Sequence, residues 1–141
     1  LIPEDTWSFE MKEVWFDNNG NLGMGMDFED ARGLDHYPSI GGAYFAGRLG
    51  IAEYLSKRRR KAAALALREI HPDYVMPVGV WQIREGIREA MKTEKSEFET
   101  FEEALKFACI SLSTSKKEWI RGSKIFKLNE QRRITDFLSN K

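Results

Sequence analysis

The chain has 141 residues, a length suited to one compact domain, with 42% hydrophobic residues for a core and 31% charged residues for a solvated surface. Lys plus Arg and Asp plus Glu are equal at 22 each, so the overall field favours no partner and any contact with nucleic acid must come from a local patch. The single cysteine, Cys109, excludes an internal disulfide and a cysteine-based zinc cluster within the chain, and its apolar setting marks it as a small core residue.

The chain opens on Leu1, straight into a strand-like pattern, and is expected to be the C-terminal part of a longer protein. The segment 6–16, "TWSFEMKEVWF", reads as an aromatic-rich strand. The segment 22–28 reads as a second, with Leu22, Met24, Met26 and Phe28 alternating on one face. Between them Asn19-Gly20 is a two-residue hairpin signal, because both positions favour positive φ. That turn predicts pairing of Trp15 with Met24, Met11 with Phe28, Phe16 with Gly23 and Val14 with Gly25, so that bulky residues cover strand glycines. Residues 30–42 read as a loop, with Ser39 as cap of a helix over 40–70 that Pro72 stops. An extended connector leads to a helix over 80–91, whose Val80, Ile83, Ile87 and Met91 share a face. A third helix starts at Thr100, where Glu103 completes a capping box, and its face carries Phe101, Leu105, Ala108 and Leu112. "SKKE" at 115–118 opens a short helix bearing Trp119 and Ile120. The expected fold is α+β and mostly helical. An N-terminal β-hairpin packs on a helical bundle with a long basic helix, forming one domain over 1–128 and leaving a tail at 129–141.

At 100° per residue the 40–70 helix gathers Tyr44, Ile51, Leu55, Ala62, Leu65 and Ala66 on one face, and Arg48, Arg58 and Arg59 fall on that face too. Buried charges need partners, which leaves three accounts. The helix breaks near "SKRRRK" and frees the basic run. The arginines pair with Glu69 or the acids of "DFEDARGLD". Or they line an anion groove. For the groove, Gly41 and Gly42 open the helix, where free N–H groups suit phosphate, Arg48 lies two turns in and His36 precedes. The same glycines also suit close helix packing, and His36 also suits a structural hydrogen bond. Arg84 and Arg88 sit one turn apart and either grip phosphates or pair with Glu85 and Glu89. Lys57, Arg58, Arg59, Arg60 and Lys61 form a basic surface suited to nucleic-acid backbone without sequence readout. His36 and His71 lie far apart in the chain, no metal-ligand spacing appears, and no nucleophile–base pair is identifiable. No apolar run is long enough to span a bilayer and no secretory leader is visible, so a cytoplasmic protein without membrane contact is expected.

The terminal "QRRITDFL", 131–138, carries an aliphatic and two bulky apolar residues behind one glutamine in an otherwise polar tail. Its spacing is that of the peptide motif that docks on sliding clamps (PCNA). A tight helical turn sets Ile134, Phe137 and Leu138 on one side as a three-pronged plug, and Gln131 both donates and accepts hydrogen bonds. Leu138 departs from the usual aromatic at that position. The competing reading is an amphipathic last turn folded back on the body.

The stretches "GGAYFAGRLGIAEYLSKRRRKAAALALREI" and "VMPVGVWQIREGIREAM" resemble the C-terminal region of the archaeal Nre proteins, implicated in DNA repair. The resemblance covers roughly residues 35–141, with the terminal clamp motif in the family's usual place. It implies a repair factor recruited to the replication clamp. Family members are longer and have an N-terminal part that can carry a zinc-type cysteine motif. The resemblance thus leaves any zinc to that part, and no cofactor is expected in this chain. The resemblance carries over no reaction residue by residue. The alternative function is an enzyme acting on a nucleotide or nucleic-acid phosphate, with its site around His36, Gly41, Gly42, Arg48 and Arg84.

Overall fold

The computed structural model describes residues 1–74 and 78–139, with the side chains of 132–139 outside the description. The fold is α+β and divides into two compact units, Leu1–Ser96 and Glu97–Lys141.

The first unit holds strands β1 (Ile2–Pro3), β2 (Ser8–Phe16), β3 (Leu22–Glu29) and β4 (Ala62–Ile70), with helices α1 (Gly42–Arg58) and α2 (Trp81–Ala90). The strands form one sheet in the order β1-β4-β2-β3. β2 pairs antiparallel with β3, and parallel with β4.

The expected hairpin is present, one residue away from the expected register. Trp15 faces Gly23, Val14 faces Met24, Met11 faces Asp27 and Phe16 faces Leu22. The reason is the turn. Asp17 N–H donates to the Asn21 carbonyl at 3.0 Å, which closes a three-residue loop with Gly20 in the left-handed region at φ 79°. The Asp17 carboxylate accepts from the backbone N–H groups of Asn19 and Asn21, both at 2.8 Å, and from the Asn21 side chain. The Asn21 side-chain bond is the leading cause that holds this carboxyl below its ordinary range. Aromatic cover of a strand glycine persists with a changed partner: a Cβ on Gly23 would collide with the Trp15 indole.

The expected helix over 40–70 is corrected to a helix, a turn and a strand. α1 ends at Arg58 and Ala62–Ile70 is β4, so Ala62, Leu65 and Ala66 belong to a strand. Their composition favours helix locally, but the segment pairs with β2 from Ser8↔Ala63 to Trp15↔Ile70, and tertiary pairing overrides propensity. A parallel pair needs a long crossover, and α1 lies within it. At the other end of α1 the N-cap is Gly41, at φ 58° and without a side-chain bond, so Ser39 is not the cap. Ser39 instead bonds Asp27, its hydroxyl 2.9 Å from Oδ2.

α1 lies on the sheet over a core of Phe9, Met11, Tyr44, Ile51, Leu55, Ala62 and Ala64. α2 packs along α1 where glycines permit close approach. A Cβ on Gly50 would meet Ile87 Cγ2 at 2.9 Å, and the Arg84 carbonyl at 3.4 Å. The Gly50→Val variant is therefore expected to lose about 1–2 kcal/mol in urea unfolding through overpacking. A variant as stable as the parent would show that this helix pair can separate freely.

The second unit holds α3 (Phe101–Ala108), a short 3₁₀ turn (Cys109–Ser111), α4 (Lys116–Ile120) and α5 (Lys124–Ser139). Both expected caps are present. Thr100 and Glu103 form the full capping box of α3, and Ser115 accepts from the Glu118 N–H at the start of α4. Leu105, Trp119 and Ile125 are buried, and the rings of Phe101 and Phe126 lie 6.1 Å apart. The expected boundary at 128/129 falls inside α5, which is helical throughout.

Candidate functional site

Where β3 ends and the following loop returns to α1, two acidic side chains gather donors, Glu29 from side chains and Asp27 from the backbone. Glu29, opposite Phe9 at the end of β3, has a side chain only 2% exposed. Its Oε1 accepts from Trp7 Nε1 at 2.6 Å and from Arg48 Nε at 2.7 Å. The Arg48 guanidinium also lies 5.9 Å from the Trp7 ring centroid, a cation–π distance. Asp27, two residues earlier on the same face, accepts from the backbone N–H groups of Ser39 at 2.9 Å and Ile40 at 3.0 Å. Tyr44, in the first turn of α1, is fully buried. Burial first, then the charge of Glu29, raises its phenol above the ordinary range.

His36 is more than half exposed. Its Nδ1 lies 2.7 Å from Asp35 Oδ1, and its Nε2 lies 3.7 Å from Asp27 Oδ1. The hydrogen bond to Asp35 is the leading cause of a raised imidazole pKa. The charged form is thus favoured in the fold. Its contribution to stability is complete below the unfolded value of about 6.5 and is lost as pH rises through the folded value. An NMR titration of His36 is expected to place its midpoint above that of a free imidazole, and Asp35→Asn to lower it. An unmoved midpoint would remove Asp35 as the cause.

Of the five expected phosphate-site residues, Gly41, Gly42 and Arg48 lie at the start of α1 and His36 beside Asp27, which holds the Ser39 and Ile40 N–H groups, while Arg84 lies on α2. Arg48 is engaged by Glu29, one of the acids of "DFEDARGLD". Gly41 is the N-cap of α1, and a Cβ on Gly42 would meet Val80 Cγ1 at 3.1 Å, the close-packing role open to it. Arg84 lies on α2 with its Nε 3.3 Å from Glu85. Arg88 forms a two-pronged pair with Glu53, at 2.7 and 2.6 Å, and bonds Glu85 at 2.6 Å. A cavity of about 330 Å³ opens elsewhere, at the end of β4, lined by Arg68, Glu69, His71, Asp73, Tyr74 and Gln82 among others. None of the five expected residues lines it. Among the described residues no group of three His, Cys, Asp or Glu is placed to hold a metal, and no helix is long and apolar enough to cross a membrane.

The basic run forms the turn between α1 and β4, with all of Lys57, Arg58, Arg59, Arg60 and Lys61 exposed. The break near "SKRRRK" is thus the account that holds for Arg58 and Arg59. The turn is a Schellman motif: Arg59 N–H donates to the Ser56 carbonyl at 3.0 Å and Arg60 N–H to the Leu55 carbonyl at 3.1 Å. Arg59 is left-handed at φ 51°, the one non-glycine residue with positive φ among those described. The Arg58 guanidinium stacks over Tyr54 at 3.7 Å from the ring centroid.

The clamp-type motif lies on the last two and a half turns of α5 (Lys124–Ser139). Gln131 is exposed, and the side chains of Ile134, Phe137 and Leu138 lie outside the described residues.

The sequence offers Glu29 only as one of several acids of "DFEDARGLD" that could meet an arginine, and it leaves out the roles of Asp27 and Trp7. The signal is there: Asp27 and Glu29 stand on the opposite strand face from Met24, Met26 and Phe28, and a strand with acids on its inward face must supply them with donors.

The geometry defines a mixed α+β domain followed by a helical unit, with a cationic turn in the first and a terminal helix in the second. Residues 29–137 match the family model described as archaeal Nre, C-terminal. The chain belongs to that family. It is 36% identical to the DNA repair protein NreB of Archaeoglobus fulgidus over 143 residues, covering 98% of this chain and 37% of that relative. It is 37% identical to NreA of the same organism, covering 84% of this chain and 31% of the relative. It is 42% identical to NreA of Haloferax volcanii, covering 75% and 27%. The chain thus spans about a third of the length of the curated relatives it matches. No solved structure matches it.

Proposed function

We propose that this chain is part of an archaeal DNA-repair factor recruited to the sliding clamp, with Gln131, Ile134, Phe137 and Leu138 as the docking residues. The observation that carries the reading is the "QRRITDFL" spacing, in a family whose matched relatives are named DNA repair proteins. A plug of this kind gains affinity from three apolar side chains entering one pocket, with a glutamine satisfied at its polar rim. Arg132 and Arg133 add attraction to an acidic partner surface. The exposed cations at 57–61 supply contact with nucleic-acid backbone, placing the factor on the DNA that the clamp encircles.

The test is titration of the full-length protein against its own clamp, with and without the last eleven residues. Equal affinity would remove the reading. The alternative of a phosphate-processing site at His36, Gly41, Gly42, Arg48 and Arg84 is the less favoured reading, because Glu29 already engages Arg48 and Arg84 touches Glu85.

A further inference from the structure

We propose that the turn from Lys57 to Lys61 is a dedicated backbone-phosphate clasp for duplex nucleic acid, in which Arg59 is retained at a cost to stability. The inference rests on the nucleic-acid part of the reading above and deepens it by assigning the ligand chemistry and the residue that matters most.

Three observations carry it. A Schellman turn calls for glycine at the position Arg59 holds, because an L side chain in the left-handed region costs roughly 1 kcal/mol. A helix stop alone does not explain arginine there. Next, Lys57, Arg59, Arg60 and Lys61 stand exposed and form no close salt bridge among the described residues, Lys57 acting only through its charge on Glu53. Arg48, Arg68 and Arg88 are by contrast committed to Glu29, Glu13 and Glu53. Finally, the Tyr54 ring engages the Arg58 guanidinium, 3.7 Å from its centroid, and leaves the other four cations of the run without such a contact among the described residues. Four charges on adjacent short segments of a Schellman turn present a compact cationic knuckle. Such a knuckle suits successive phosphates and reads no bases.

The experiment is equilibrium binding of the whole chain to labelled 20-base-pair duplexes of two unrelated sequences, at several salt concentrations. The parent is expected to bind both alike, with log K falling against log salt at a slope of about −3 to −4 for four phosphate contacts. Arg59→Gly is expected to melt higher than the parent, yet to bind about tenfold more weakly at 50 mM salt, with the slope shallower by about 0.9. Arg59→Lys is expected to keep the affinity. Binding that is unchanged in Arg59→Gly, or tightened along with the melting point, overturns the assignment while leaving clamp recruitment and general DNA contact standing. No duplex binding by the parent at 50 mM salt overturns the DNA-contact reading as well. Binding to vesicles rich in phosphatidylserine, without binding to duplex, assigns the turn to a membrane surface and overturns the proposal.

Discussion

The Phe137→Ala variant is expected to lose at least about thirtyfold in affinity for the sliding clamp, on the order of 2 kcal/mol, with its helix content unchanged. Truncating the central aromatic of a three-pronged plug leaves its pocket partly hydrated and forfeits the largest apolar contact. Gln131→Ala provides a second variant at an exposed position and is expected to cost about 1 kcal/mol, the worth of a typical hydrogen bond. Calorimetry against the clamp, with circular dichroism on each variant, reads both. If both variants bind like the parent, the terminal motif is not the docking element. If Phe137→Ala unfolds the second unit while Gln131→Ala binds normally, the aromatic serves the core and the recruitment reading falls.

Glu29→Ala is expected to destabilise the first unit by about 2–3 kcal/mol. The change removes the shared acceptor of Trp7 and Arg48. The loss is smaller than the roughly 3–5 kcal/mol of a fully buried pair, because the Arg48 side chain is 41% exposed and can recover water. Trp7, partly buried, loses its acceptor as well. Arg48→Met placed on Glu29→Ala is expected to return part of the loss, since the orphaned charge is gone, and a double-mutant cycle in urea measures the coupling. A single-variant loss below about 1 kcal/mol would show that this carboxylate is a bystander. Tyr44 adds a pH signature. Its raised phenol pKa means the unfolded chain releases that proton first, so stability holds below about pH 10 and declines as pH rises beyond it.

Much of this architecture was legible from residues with strong local chemistry. Thr100 and Glu103 specify a helix start through two reciprocal hydrogen bonds, and the structure has both. The alternation of Leu22, Met24, Met26 and Phe28 marks a strand. Residues 62–70 were not legible, because alanine, leucine, arginine and glutamate there favour helix, and the strand arises only when β2 supplies its ladder. The hairpin register turned on one side chain: Asp17 organises a three-residue loop around Gly20, where Asn19-Gly20 alone suggests two. At the candidate site, Gly41, Gly42 and Arg48 do adjoin the start of α1, but Glu29, distant in sequence, decides what Arg48 does. The ion pair spans nineteen positions, and no local pattern encodes it.

Helix α5 runs 16 residues without interruption, from a base where Ile125 is buried through the terminal motif. At about 1.5 Å per residue that is a rod of about 24 Å. On the recruitment reading proposed above, a docking peptide on a rod differs from one on a leash: its reach and its bearing relative to the second unit are set, and a partner gripping its tip would inherit both. Inserting a single residue near Lys127 would swing everything downstream by about 100°, whereas seven would nearly restore the original phase. On that reading, recruitment by such an arm would be a matter of angle as much as of affinity.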